Sequence, residues 1–176
     1  MNRFALPLAL FAVLVVVFAV ALKRAPEKTT IPSALIGKPA PEFTLPDLMN
    51  PGQNVSSSAF QGKWRLINVW GTWCPECYTE HPVLLDISRE GKVVVIGLNY
   101  RDDDQKAREW LAELGNPYAA VAVDKEGSAA IDYGVYGAPE TFLINPQGVI
   151  VSKVVGGVTA QRWRENLLPL VEAVAP

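Results

Sequence analysis

The chain holds two cysteines, Cys74 and Cys77, separated by Pro75 and Glu76. Two cysteines at this spacing lie on one face of a helix's first turn, where they can close a small disulfide ring and reopen it with little backbone movement. Their surroundings predict such a turn. Residues 66–70 form an apolar run that reads as a buried strand, and Pro75 stands where the first helical turn tolerates a missing N–H. Cys74 then sits at the helix N-terminus, where unpaired N–H groups and the positive end of the dipole favour a thiolate, the attacking species in disulfide exchange. Cys77, one turn further in and less exposed, suits the resolving role. Pro75 removes one donor near the sulfur, and Glu76 brings a negative charge that opposes thiolate formation. A structural bridge and half of a zinc site are the competing readings. A bridge closing so short a loop restrains the unfolded chain little. With His81 as the sole histidine and no second cysteine pair, a four-ligand metal site is hard to assemble.

The elements that hold this pair follow from the rest of the 176 residues, enough for one domain and an appendage. Two cysteines cannot staple a small scaffold, so the fold rests on an ordinary core. The net charge is −2, and leaving out Arg3, Lys23 and Arg24 leaves 13 basic against 18 acidic side chains. There is no basic stripe with interleaved aromatics, which argues against nucleic acid as a partner.

Residues 4–22 run without a charge, about the length a bilayer core requires, and read as an uncleaved membrane anchor over residues 1–24. A cleaved signal peptide is the rival: Ala19-Val20-Ala21 has the small-x-small pattern, but the apolar run is long for that purpose. Residues 25–34 read as a linker and 35–176 as the folded domain. Prolines at 39, 41 and 46 forbid a helix near Phe43 and Leu45, whose alternation suits an edge strand. A short hairpin and a turn of helix at 57–60 follow, then a strand at 64–69. The helix after Cys74 runs to about Arg89 and closes at Gly91, with Pro82 inside it to kink it. Residues 93–98 are continuously apolar, as in a strand covered on both faces. Asp102-Asp103-Asp104 predict the cap of a helix whose Ala107, Trp110, Leu111 and Leu114 share a stripe. A strand at 120–123, a short helix at 127–133, a hairpin at 141–144 and 149–155, and a helix at 160–174 complete the chain. The order begins with a βαβ unit and ends antiparallel. It predicts an α/β domain with a mixed central sheet flanked by helices, and the cysteines at the C-terminal end of a central strand, where open α/β sheets bind ligands.

Trp73-Cys74-Pro75-Glu76-Cys77, the proline at 82 and the stretch Gly134-Val135-Tyr136-Gly137-Ala138-Pro139-Glu140-Thr141 together resemble the thioredoxin superfamily, and more narrowly the CcmG/DsbE family of membrane-anchored thiol reductases of cytochrome c maturation. The resemblance spans about residues 35–174. It implies a thioredoxin-like fold with extra N-terminal strands and an N-terminal transmembrane helix, and a cis bond before Pro139 in a loop lying against the cysteines. It implies Cys74 as nucleophile, Cys77 as resolving thiol, and no cofactor beyond their redox-active disulfide. Many thioredoxins place a buried acid where this chain has Asn68, which cannot titrate, so Glu80 is the candidate for proton transfer. Glu80 and Glu140 would add negative charge near the sulfurs. Partner contacts fall to Trp73, Pro75, Tyr136, Ala138, Pro139 and Glu140, with Trp73 and Tyr136 readable either as core or as a rim around Cys74. His81 reads as a packing or helix-surface residue. The implied partners are apocytochrome c, or a maturation protein carrying it, and a membrane thiol reductase of DsbD or CcdA type as electron donor. The implied setting is the bacterial inner membrane, single-pass, with a monomeric catalytic domain in the periplasm. The alternatives are another anchored envelope reductase and an apocytochrome-binding chaperone that exchanges no disulfides.

Overall fold

The computed structural model describes residues 5–24 and 33–173, and these fall into two units, residues 1–31 and 32–176. In the first, helix α1 covers Ala5–Arg24. Its described side chains, residues 6–20, are exposed. Among the described residues no helix is long and apolar enough to cross a membrane, so the spanning helix expected over residues 1–24 is not supplied by them. The linker expected at 25–34 lies mostly outside the described residues.

The second unit is built on a five-stranded sheet. Its strands are β3 (Arg65–Trp70), β4 (Val94–Tyr100), β5 (Ala120–Asp124), β6 (Glu140–Ile144) and β7 (Ile150–Val155), in the order β5-β4-β3-β6-β7. The pairs β3–β4 and β4–β5 are parallel, whereas β3–β6 and β6–β7 are antiparallel. This is the expected mixed sheet. Helices α2 (Pro75–Glu90) and α3 (Asp104–Leu114) make the two crossovers. Both crossovers step the same way along the sheet, so a common hand puts both helices on one face.

Alternation along β3 divides the core. Leu66 and Trp70 pack with Leu84, Ile87, Trp110, Trp163 and Leu167 on the α2–α3 side. Ile67 and Val69 pack with Phe142, Tyr133, Ala129 and Phe43 on the other, beneath α4 (Ser128–Asp132). A hairpin of β1 (Thr44–Pro46) and β2 (Asn54–Ser56) precedes the sheet, with a 3₁₀ turn at Ser57–Phe60. Backbone after this hairpin's first strand pairs with the β5 edge, Leu48 N donating to Val121 O. The segment around Lys38 pairs with the start of β7. Both edges are therefore partly covered, as exposed edges must be to avoid pairing with other chains.

Helix boundaries have local causes. Cys74 caps α2, and Gly91 ends it with φ 68°, a left-handed conformation that glycine adopts without a Cβ penalty. The helix runs through Pro82, which is exposed, so the carbonyl it leaves unbonded costs little. The C-terminal helix expected over 160–174 is interrupted. It comprises α5 (Ala160–Arg162), a π turn at Trp163–Leu167 and α6 (Leu168–Glu172). Pro169 cannot donate to the carbonyl four residues back and its ring clashes there, and Leu168 N bonds Trp163 O instead.

Gly97 tests the packing under the site. A Cβ there would lie 2.8 Å from Trp70 Nε1 and 3.0 Å from the Tyr118 ring. Those two buried rings are stacked on each other at 5.5 Å and cannot both withdraw. Gly97→Ala is expected to destabilise the domain by about 1–3 kcal/mol, seen as a lower urea midpoint with an unchanged slope.

Candidate active site

Val69 pairs with Glu140 at the end of the β3–β6 ladder. This register sets the loop after β3, residues 71–74, beside the loop before β6, residues 134–139. The Ala138–Pro139 bond in the second loop is cis. Cys74 lies in the first, its backbone extended (φ −98°, ψ 106°) and its N–H bonded to Gly71 O at 3.1 Å. Its Sγ accepts a hydrogen bond from Cys77 N at 3.2 Å and is joined to Cys77 in a disulfide, with Cα atoms 5.4 Å apart. The helix N-terminus thus addresses the first sulfur. One expectation is corrected: Cys74 is no more exposed than Cys77, each being 2% accessible. Bonded to each other, both sulfurs join the apolar cluster of α2 and β3, and Ala138 packs against it.

Trp73 and Tyr136 both lie outside the core. Trp73 is half exposed, donates through Nε1 to Tyr100 O at 3.1 Å and stands edge-on to the Tyr100 ring. Gly71 makes room for it, since a Cβ there would come within 2.5 Å of Trp73 Nε1. Tyr136 is 81% exposed, with Lys153 Nζ 4.9 Å from its ring centre. Pro75 is exposed and Ala138 half-buried, whereas Pro139 and Glu140 are buried. Glu140 therefore offers no side chain to a partner and no unbalanced charge to the sulfurs. It forms an ion pair with buried Lys153 at 2.8 Å and accepts from Tyr136 N at 3.0 Å. Lys153 also donates to Gly134 O at 2.8 Å, so one buried ion pair holds both ends of the loop's exposed part.

Glu80 is buried on the α2 face below the disulfide. Its Oε1 accepts from Asn68 Nδ2 at 2.8 Å, and its Oε2 from Val158 N at 2.8 Å. Burial pushes its pKa up to about 7, partly offset by those two hydrogen bonds and reinforced by the charge of Glu76. Asn68 also donates to Thr141 Oγ1 at 3.0 Å and accepts from Tyr118 Oη at 2.8 Å. Burial and the Glu80 charge hold Tyr118 well above the usual phenol range, so it stays a donor. Glu76 bonds Gly157 N at 2.9 Å, next to the Val158 N–H held by Glu80. His81 is buried rather than on the helix surface: Nδ1 accepts from Trp110 Nε1 at 3.3 Å and Nε2 donates to Gly115 O at 2.9 Å. Those partners suit a neutral ring, and burial lowers its pKa. Among the described residues no group of three or more His, Cys, Asp or Glu could hold a metal.

Residues 35–167 match the Redoxin family model. The chain is 47% identical over 167 residues to the thiol:disulfide interchange protein DsbE of Pseudomonas aeruginosa, covering 95% of this chain and 91% of that protein. It is 50% identical over 147 residues to DsbE of Escherichia coli, covering 83% and 79%. A crystal structure of a putative DsbE from Chlorobium tepidum superposes with a TM-score of 0.68 at 27% identity, covering 78% of this chain and 96% of that one. The chain belongs to the DsbE family. It is a thiol-disulfide oxidoreductase with a thioredoxin-like fold, its active disulfide being Cys74–Cys77.

In this DsbE-family protein, sequence reasoning misses Tyr118, Thr141, Lys153 and Val158, which contact the site from distant positions. A single charged residue in a strand otherwise without charge was the available sign for Lys153.

Two predictions follow from the buried charges. Lys153→Met strands the Glu140 carboxylate and is expected to cost about 3–5 kcal/mol, with much of the loss recovered in Lys153→Met/Glu140→Gln, as read from denaturation of the three proteins. For Glu80, the folded pKa lies above the unfolded value, so its contribution is full below about pH 4.5 and is lost as pH rises through 7. His81, lowered in the folded state, acts oppositely, costing stability as pH falls below about 6.5. Between pH 6.5 and 8 Glu80 therefore dominates this pair. The oxidised protein should lose on the order of 1 kcal/mol across that interval, and Glu80→Gln should abolish the loss.

Proposed function

We propose that this protein is a membrane-anchored, periplasmic reductant that supplies dithiols for cytochrome c maturation. The observation that carries the reading is the Cys74–Cys77 disulfide at the N-terminus of α2, beside the Ala138–Pro139 loop, in a chain about half identical to DsbE proteins. The uninterrupted apolar run of residues 4–22 supports anchoring. The relatives, named as thiol:disulfide interchange proteins, support a compartment in which disulfides form.

In the proposed cycle the Cys74 thiolate attacks a disulfide of the partner, and one partner sulfur leaves as thiolate. Cys77 loses its proton and attacks Cys74 Sγ. The second partner sulfur leaves, and the enzyme is left in the bridged form. Two electrons have passed to the partner, and a membrane thiol reductase returns them. Glu80 follows Cys77 by three positions on the same helix, and its pKa of about 7 suits it to take and return the Cys77 proton at neutral pH. Trp73, Pro75, Tyr136 and the backbone at Ala138 form the partner-facing rim, where an extended peptide can add main-chain hydrogen bonds. The partner segment is the pair of haem-attachment cysteines of apocytochrome c, or a maturation protein carrying them.

In a cytochrome c-producing bacterium lacking its own DsbE, Cys77→Ser should accumulate a mixed disulfide through Cys74 whose partner is apocytochrome or a maturation protein, recovered in the membrane fraction. Cys74→Ser should abolish both the adduct and holocytochrome. Holocytochrome formed with Cys74→Ser, or adducts consisting only of unrelated envelope proteins, would overturn the reading.

A further inference from the structure

Three consecutive aspartates, 102–104, lead into α3, and capping and an ion pair account for two of them. Asp103 is the N-cap, accepting from Gln105 N and Lys106 N, and Asp104 is paired with Lys125. Asp102 faces the other way, toward the loop that carries Cys74. Its Oδ2 accepts from Thr72 N at 2.6 Å and from Asn99 Nδ2 at 2.9 Å. Its Oδ1 accepts from Thr72 Oγ1 at 2.6 Å and from Asp103 N at 2.8 Å. All four groups donate to Asp102, and three of them, the two backbone N–H groups and the amide, can only donate, so an acceptor-only carboxylate fits and an amide does not.

The chain accepts strain to place it. Arg101 has φ 47°, the sole positive φ at a non-glycine among the described residues. It is held by its own N–H to Asp124 O and by its guanidinium to Glu126 O. This turn also presents Tyr100 O to Trp73 Nε1. Two consecutive residues immediately before Cys74 are thereby gripped from one turn, one through Tyr100 and one through Asp102.

We propose that Asp102 is a positioning residue for thiol exchange, holding Thr72 so that Cys74 stays at the helix N-cap once the disulfide opens. While Cys74 and Cys77 are bonded, the ring fixes the first sulfur. In the dithiol form that restraint is gone, and the loop alone keeps Cys74 Sγ against Cys77 N–H. The clamp therefore stabilises the reduced form in particular. The exchange is balanced within the probe reaction: Cys74 displaces one glutathione thiolate from glutathione disulfide, Cys77 displaces the second, and the protein is oxidised by two electrons.

The inference concerns exchange itself, not the cytochrome partner, so its test is independent of that partner. Reduced wild-type, Asp102→Ala and Thr72→Val proteins are mixed with glutathione disulfide, and both the rate constant and the equilibrium with glutathione are measured. Urea unfolding of each is recorded alongside. The clamp predicts about tenfold slower exchange for Asp102→Ala, a smaller slowing for Thr72→Val, and an equilibrium displaced toward the oxidised protein in both. A loss confined to urea midpoint, with rate and equilibrium unchanged, would overturn it. So would faster exchange in Asp102→Ala with no effect in Thr72→Val, the signature of a carboxylate acting by charge alone.

Discussion

The buried side chain of Asn68 ties together the elements that meet beneath the cysteines. It stands on β3 and bonds Glu80 on α2, Thr141 on β6 and Tyr118 ahead of β5. Glu80 passes the connection on to Val158 in the loop after β7. Each bond contributes on the order of 1 kcal/mol net, yet leaving one of these buried groups unpaired costs more than its bond contributes. The network is thus worth most as a specification: only one arrangement of α2 over the sheet satisfies every member. A neutral amide suits the hub because it donates and accepts at once. It offers hydrogens to a carboxylate and a hydroxyl while taking one from a phenol, which no carboxylate could do.

The same logic fixes the rim. The β3–β6 register places Glu140 at the foot of the 134–139 loop, and Lys153 on the neighbouring strand neutralises it while gripping Gly134 O. Buried ion pairs add little stability against an apolar replacement, but they penalise every arrangement in which the charges separate. Exposed Tyr136 is consequently mounted on a rigid base, its backbone N–H bonded to Glu140 and its ring beside Lys153.

How much of this was legible depends on how far each feature reaches along the chain. The apolar runs of β3 and β4, the Asp103 cap, the stripe of α3 and Gly91 at the end of α2 are local patterns, and the letters predict them to within a residue or two. Pro169 was also local, and its interruption of the last helix follows from ring geometry that periodicity alone overlooks. Asn68 could be seen as a non-titrating residue in the strand before the cysteines, but not as a hub, because its partners lie 12, 50 and 73 positions away. Asp102 looked like one of three helix-capping acids. Its turn toward Thr72 depends on the left-handed backbone of Arg101, which no residue preference announces. The equal burial of Cys74 and Cys77 is likewise a property of the packed bridge and not of the spacing.

The acids around the disulfide are each bound to scaffold. Glu76 and Glu80 hold successive N–H groups of the Gly157–Val158 loop, and Glu140 is paired with Lys153. They are fixed rather than free to swing toward a cation. At neutral pH Glu76 and a part-ionised Glu80 set negative charge along the helix face that carries both cysteines, and this charge opposes a thiolate there. The N-cap position works in the opposite sense by offering Cys77 N–H to Cys74 Sγ. A thiolate stabilised by the helix alone would make the reduced form too comfortable and the disulfide a strong oxidant. Carboxylates held in place on the same helix act against that effect, so the two influences on the Cys74 sulfur oppose each other.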